Sequence, residues 1–218
     1  MIAQAPALQE RPSPQVRVVG MAGIALLHIV WYYVVNITNS YRPSTVFVDL
    51  SLAIDRWIPY VGWTWVIYYF GDLYIVIWAG VVFWQIPRSR FDRAVYAYGG
   101  MIVVGATMQL LVPATAPWPA NPTAAQQWMH ELISMRPHAC MPSMHVALTV
   151  LPAGLAVSVL HSRLLRFSST ILAALITVST LTLKEHFFLD AVTGVALGLA
   201  AYAFWRAGTE RTYEIAKA

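Results

Sequence analysis

The chain has 218 residues, of which 58% are hydrophobic and only 11% are charged, with a net charge of +4. Soluble domains are about 45–50% apolar, so this composition excludes an ordinary soluble protein and indicates an integral membrane protein. The basic residues are scattered rather than clustered, which argues against a nucleic-acid partner, and the single cysteine, Cys140, excludes an internal disulfide.

Six apolar stretches approach the roughly 20 residues that a helix needs to cross a bilayer. We therefore predict an all-α polytopic membrane protein with six transmembrane helices. Residues 18–206 form the membrane domain, between polar cytoplasmic tails at 1–17 and 207–218. The predicted helices are 18–38, 62–84, 94–111, 143–160, 169–183 and 187–205.

Two connections between these helices are long. In segment 39–60, apolar residues recur at positions 50, 53, 54, 57 and 58, a spacing that predicts an amphipathic helix lying along the membrane interface. Segment 112–140 is Pro-rich and predicts a long extracytoplasmic loop, of a length that is uncommon unless the loop is functional.

Lysine and arginine counts indicate the orientation of the chain. Ten of these residues fall in the tails and loops on one side of the predicted membrane domain, and four fall on the other side. Because short cytoplasmic loops carry the excess of positive charge, we expect both termini in the cytoplasm. The loop at 112–140 and the stretch at 184–190 then face the extracytoplasmic side.

The stretch at 184–190 holds four ionisable residues, Lys184, Glu185, His186 and Asp190, between two apolar runs. His186 and Asp190 stand four positions apart, which places both on one face of a helix. A histidine held by a carboxylate is a ready nucleophile or base. The alternative is a pair that caps a transmembrane helix, but ionisable residues at membrane depth are functional by default.

A second polar group, Met141–His145, directly precedes the fourth predicted helix. Ser143 is placed to cap that helix, whose free N–H groups and dipole form an anion site, and His145 lies in the first turn. Two histidines on one membrane face, with a capping serine and Lys184, predict metal-free phosphoryl transfer. One histidine attacks phosphorus, the other protonates the leaving oxygen, and cations hold the remaining oxygens.

A zinc site is an alternative use of the residues around this group. His130, His138, Cys140 and His145 are suitable ligands within sixteen positions. However, a tight pair such as Cys-x-x-Cys is missing, which makes the zinc hypothesis the weaker one.

A small transporter is an alternative of a different class. Asp72 falls near the middle of the second predicted helix, where a charge costs about 3 kcal/mol, so it must face a polar partner or a site. With His28 and Asn36 it is also interpretable as a polar pathway. The chain lacks repeat symmetry, and its other polar residues collect at one face. Vanadate binding that depends on His186 would separate an enzyme from a transporter.

The order Pro142-Ser143-x-His145, followed about forty residues later by Lys184-x-His186-x-x-x-Asp190, resembles the type 2 phosphatidic acid phosphatase superfamily. More narrowly, it resembles the branch containing inositol phosphorylceramide synthases and their bacterial relatives. Three further features agree with that branch, namely the region of 58–59 and 68–69 around the second predicted helix, the element 116–118, and Thr182 two positions before Lys184. The resemblance covers residues 45–205 and implies a membrane-bound lipid phosphatase or phosphotransferase that uses no metal and no cofactor.

The resemblance also implies roles for the chemical residues. His186 would be the nucleophile that forms a phosphohistidine, and Asp190 would orient and stabilise it. His145 would be the general acid for the leaving group and then the base for the incoming hydroxyl. Ser143 and the backbone around Met144 would bind phosphate oxygens.

Several positions depart from the phosphatase pattern. Met144 stands where the pattern has glycine, and Thr180 stands where it has an arginine. We expect Lys184 to act as the replacement cation on the phosphate, with Arg136 as a second candidate. Trp118 and Asp72 are candidate pocket residues.

Losing the arginine while keeping Lys184 favours transfer of a head group over hydrolysis, although both reactions share the phosphohistidine step. The expected substrate is a lipid phosphate or phospholipid in the outer leaflet. An extracytoplasmic site of this kind fits a bacterial inner membrane best.

Overall fold

The computed structural model describes residues 12–133 and 139–215, except for the side chains at positions 129, 130, 132, 133 and 209–215. Within these residues the chain is helical and contains no β-strand, which confirms the all-α prediction. The described residues form seven α-helices, which are α1 (Pro14–Ser40), α2 (Trp65–Gln85), α3 (Arg88–Leu111), α4 (Ala124–Ile133), α5 (Met144–Val159), α6 (Arg163–Thr182) and α7 (Phe188–Ile215).

Five helical stretches in the described chain are long and apolar enough to cross a membrane. They lie in α1, α2, α3, α6 and the first part of α7. The remaining predicted span, α5, has only 16 residues, and at 1.5 Å per residue this gives about 24 Å. Helix α5 packs against α2, α6 and α7, so most of its surface meets protein rather than lipid. The protein is therefore a helical membrane protein built around a short central helix.

Polar contacts show which helix ends lie together. At one end, Asn39 Nδ2 donates to the Gln109 carbonyl over 3.2 Å, which joins the ends of α1 and α3. The Ser143 amide donates to the Asp190 carbonyl over 3.0 Å, which joins the starts of α5 and α7. At the opposite end, Arg93 Nε donates to the Phe204 carbonyl. His145 and His186 therefore lie at the same end of the bundle.

Helices α5 and α7 approach each other closely because α7 carries glycines on the facing side. A Cβ atom added to Gly194 would lie 2.5 Å from the Ser143 carbonyl oxygen, and one added to Gly198 would lie 2.8 Å from Val150 Cβ. Small residues at such spacing let helix backbones pack in contact within membranes. This contact sets the distance between the two histidine-bearing segments.

Segment 39–60 does not form the predicted interfacial α-helix. After α1 ends at Ser40, it contains two single 3₁₀ turns, Ser44–Val46 and Ala53–Arg56, joined by irregular chain. The amide of Ser51 donates to Asp49 Oδ1, and the amide of Leu52 donates to Asp55 Oδ2. Short acidic side chains that bond to the local backbone compete with helix formation, and this competition explains why the apolar spacing was misleading.

Other boundaries also differ from the prediction. Segment 112–140 is not all loop, because it contains α4. Helix α1 begins at Pro14, where the Ser13 side chain accepts from the Val16 amide, and α6 begins at Arg163 after a similar cap from Ser162. Both helices start before their apolar stretches do, since side-chain caps rather than hydrophobicity decide where a helix begins.

We predict that Gly194→Ala separates the two histidine-bearing segments. The added methyl group must displace the Ser143 backbone, at a cost of roughly 1–3 kcal/mol. Thermal unfolding in detergent should show a lower midpoint than the wild type.

The control is Gly100→Ala in α3, because a Cβ atom at Gly100 meets nothing within 4 Å. This variant should be neutral or stabilised by up to about 1 kcal/mol, as expected for Gly to Ala in a helix. Equal midpoints for the two variants would contradict the proposed role of the α5–α7 contact.

Candidate active site

His186 and Asp190 form a buried pair at the start of α7. His186 Nδ1 and Asp190 Oδ2 lie 3.4 Å apart, and the two side chains are 6% and 0% exposed. This contact is not a hydrogen bond, and neither His186 Nδ1 nor Asp190 Oδ1 has a hydrogen-bond partner among the described residues. Asp190 Oδ2 does accept the amide of Phe187 over 2.9 Å. A small movement of the imidazole would convert this contact into a charge-assisted hydrogen bond.

His145 lies in the first turn of α5, which Ser143 caps as predicted by accepting the Val146 amide over 3.4 Å. His145 Nε2 lies 2.8 Å from Asp72 Oδ1, and His145 Nδ1 lies 3.3 Å from the Tyr68 hydroxyl. The polar partner expected for Asp72 is therefore His145. Each of the two histidines thus faces a carboxylate.

The two histidine rings lie near each other across the α5–α7 contact. Their centroids are 6.4 Å apart. This separation lets one small tetrahedral group contact both rings. The backbone hydrogen bond from Ser143 to Asp190 fixes this spacing.

Lys184 connects the α6–α7 turn to segment 39–60. Its Nζ donates to the carbonyls of Asp55 and Ile58 over 2.9 and 2.6 Å. Lys184 has a positive φ of 60°, a conformation that costs an ordinary residue roughly 1–2 kcal/mol. Asp55 Oδ1 in turn accepts the Phe188 amide over 2.7 Å and so caps α7. The turn and the segment are fixed to each other from both sides.

Glu185 connects the same turn to α4. It is 3% exposed, and its Oε1 accepts from Gln126 Nε2 over 2.7 Å. Gln126 Nε2 also lies 3.0 Å from the Leu183 carbonyl, and Gln126 Oε1 accepts from the Tyr60 hydroxyl. Of the four ionisable residues at 184–190, two thus hold neighbouring segments and two form the histidine–carboxylate pair.

Two cavities meet at His186. The first, which we call the loop cavity, has a volume of about 520 Å³ and is lined by residues of segments 51–60 and 117–121 and of the turn 184–187, including Trp118 and Lys184. The second, which we call the helix cavity, has a volume of about 430 Å³ and is lined mainly by α1, α2, α3 and α5, including Asp72, Met144 and His145. His186 lines both cavities, so a group at its ring can be reached from either side.

The remaining sequence candidates lie in several places. Arg136 and His138 lie outside the described residues, and the side chain of His130 is not described. In the described part of the chain, no group of three or more His, Cys, Asp or Glu residues has a metal-binding arrangement. Burial raises the pKa of the Cys140 thiol well above its usual range, and the Asp190 and Glu185 carboxylates raise it further, so the thiol remains protonated.

Sequence reasoning did not identify the partners of His145 and Lys184. Tyr68 and Asp72 stand four positions apart in α2, the same spacing as His186 and Asp190. This spacing places both side chains on one face of α2 and could have indicated that they share a partner. The capping role of Asp55 had no sequence signal, since 133 positions separate it from its partner Phe188.

Two neighbouring histidines that each face a carboxylate can supply a nucleophile and a general acid for group transfer. The family comparison agrees: the chain belongs to the PAP2 superfamily, whose model matches residues 40–204. Membership supports a lipid enzyme of the phosphatase or phosphotransferase type. Neither the search of curated proteins nor that of solved structures found a match.

Proposed function

We propose that this protein is a metal-independent lipid phosphatase or phosphotransferase that acts through a phosphohistidine at His186. The observation that carries the proposal is the arrangement of His186 and His145, each facing a carboxylate, with ring centroids 6.4 Å apart beside a shared cavity. A nucleophile and a general acid on either side of one phosphorus atom need this separation.

In the first step, the His186 nitrogen remote from Asp190 attacks phosphorus. The P–N bond forms, the P–O ester bond breaks, and the proton held by His145 moves to the leaving oxygen. Asp190 stabilises the positive charge that develops on the His186 ring, and its buried position strengthens that interaction. The phosphorylated histidine and the lipid alcohol are the products of this step.

In the second step, His145 acts as a base. It takes the proton of an incoming hydroxyl, whose oxygen attacks phosphorus as the P–N bond breaks and His186 is restored. Asp72 keeps the His145 ring oriented through Nε2 in both steps. The longer contact of His145 Nδ1 with Tyr68 is the one that a substrate oxygen replaces.

The phosphate oxygens need positive partners at the same place. At the start of α5 the Ser143 amide already donates to the Asp190 carbonyl. The backbone around Met144, the Ser143 hydroxyl and the positive end of the helix dipole are the groups that we assign to the phosphate. Lys184 has one N–H donor left after its two carbonyl bonds. On the sequence alone, we also propose Arg136 as a further cation that binds the phosphate.

The acceptor decides between hydrolysis and transfer. The inositol phosphorylceramide synthase-like assignment is supported by Thr180 in place of an arginine and by the size of the loop cavity, which exceeds that of a phosphate group. We therefore propose head-group transfer as the second candidate reaction. The charge distribution supports an extracytoplasmic site with both termini in the cytoplasm of a bacterial cell.

The proposal predicts that purified protein releases labelled product from phospholipids and that His186→Asn lowers the rate by at least about 10³-fold, as for loss of a nucleophile. Free phosphate identifies hydrolysis, and a new labelled lipid identifies transfer. The control is His161→Asn, an exposed histidine before α6, which should keep wild-type turnover. Failure of the folded wild type to convert any phospholipid, or full activity of His186→Asn, would overturn the proposal.

A second prediction concerns Asp72. Asp72→Asn keeps the side-chain shape but removes the charge that holds a proton on His145. Single-turnover cleavage of a lipid phosphate should fall by about 10²-fold, within the range of general-acid contributions. Cleavage of a p-nitrophenyl phosphate ester should fall by less than about tenfold, because nitrophenolate leaves without a proton.

The matched control for this prediction is Asp92→Asn, which removes an exposed carboxylate near the start of α3. It should leave both rates unchanged. An equal fall for both substrates in Asp72→Asn would show that Asp72 only supports the fold.

A further inference from the structure

Two described cationic side chains, Arg56 and Lys184, line the loop cavity together with His186. Phosphoryl transfer develops charge on the non-reacting oxygens of phosphorus, and preorganised cationic donors stabilise that charge. A phosphate in this cavity would bind the cation whose N–H donors are not already used by the protein.

Lys184 is largely committed to the protein. Two of its three N–H donors bind the carbonyls of Asp55 and Ile58. Breaking these two hydrogen bonds would release segment 39–60 from the turn between α6 and α7. Thr180 offers no replacement, since its side chain is buried and its hydroxyl donates to the Thr177 carbonyl. Structural contacts therefore occupy most of the donor capacity of Lys184.

Arg56 is in the opposite situation. Its guanidinium has no hydrogen bond or ion pair with any described residue. The neighbouring Asp55 carboxylate is used differently: its two oxygens accept the amides of Leu52 and Phe188. Arg56 therefore presents an exposed guanidinium with its donors available to the cavity that His186 also lines.

The backbone that carries Arg56 is nevertheless fixed in place. Arg56 ends the 3₁₀ turn Ala53–Arg56. Asp55 before it caps α7, and the carbonyls of Asp55 and Ile58 on either side of it bind Lys184. The same turn, 184–187, contains His186. The position of the Arg56 backbone relative to His186 is therefore set by three hydrogen bonds.

We propose that Arg56 binds the phosphoryl oxygens of the substrate in the loop cavity and stabilises the charge that develops on them as His186 attacks. The ligand class is a phosphate ester, held by a planar guanidinium that can donate two parallel hydrogen bonds to phosphate. This assignment rests on the proposed function and adds a catalytic residue to it.

The test compares Arg56→Gln, Arg56→Lys and Arg56→Ala with the control Arg163→Gln. The control removes an exposed arginine at the start of α6, the end of that helix that is remote from the turn 184–187. Arg56→Gln should lose about 10²–10³-fold in kcat, the usual effect of removing one donor to developing charge. Arg56→Lys should recover only part of this loss. Millimolar methylguanidinium should raise the activity of Arg56→Ala and leave Arg163→Gln unchanged. Thermal unfolding midpoints should match the wild type.

Binding of vanadate separates this assignment from the proposed function. The wild type should bind vanadate, and Arg56→Gln should bind it at least about tenfold more weakly. If the wild type converts no phosphate ester but vanadate binding still depends on Arg56, the proposed reaction fails and the anion site stands. Equal vanadate binding by the wild type and Arg56→Gln, or turnover of Arg56→Gln within about threefold of Arg163→Gln, would overturn the assignment.

Discussion

The close contact between the starts of α5 and α7 is the constraint on which the site depends. The Ser143 amide donates to the Asp190 carbonyl over 3.0 Å, and the absence of a side chain on Gly194 makes the approach possible. In a bilayer the hydrophobic effect does not hold helices together, so close packing and such polar contacts must do so. One backbone contact therefore positions a helix start, His145 and His186 together.

The burial of polar groups at this contact explains why the surrounding segments are so firmly attached. A buried donor or acceptor without a partner costs roughly 1–3 kcal/mol, and in the described part of the chain neither His186 Nδ1 nor Asp190 Oδ1 has one. Bonds made by Lys184, Asp55 and Gln126 fasten segment 39–60 and α4 around the pair. These bonds maintain a geometry that the His186–Asp190 pair alone would not favour, as is common at functional sites.

Local sequence was informative where the chemistry is local. The spacing of His186 and Asp190 predicted that these two side chains meet, and Ser143 was predicted to cap the following helix. Both contacts join residues no more than four positions apart, so a short stretch of sequence was enough to predict them. Longer-range roles were not predictable. The Lys184 side chain meets carbonyls 126 and 129 positions away, and the apolar periodicity of segment 39–60 gave no sign that Asp55 would cap α7 instead of entering a helix. The membrane-span pattern likewise located the helices but not their capped ends.

The most direct measurement is to quench the enzyme in alkali during turnover of a lipid carrying labelled phosphate, since phosphohistidine survives base and decays in acid. Peptide mapping should then find the label on the peptide that contains His186, with its acid lability intact. Label on His145, on Ser143 or on another residue would contradict the central claim that His186 is the nucleophile. So would sustained turnover without any labelled protein.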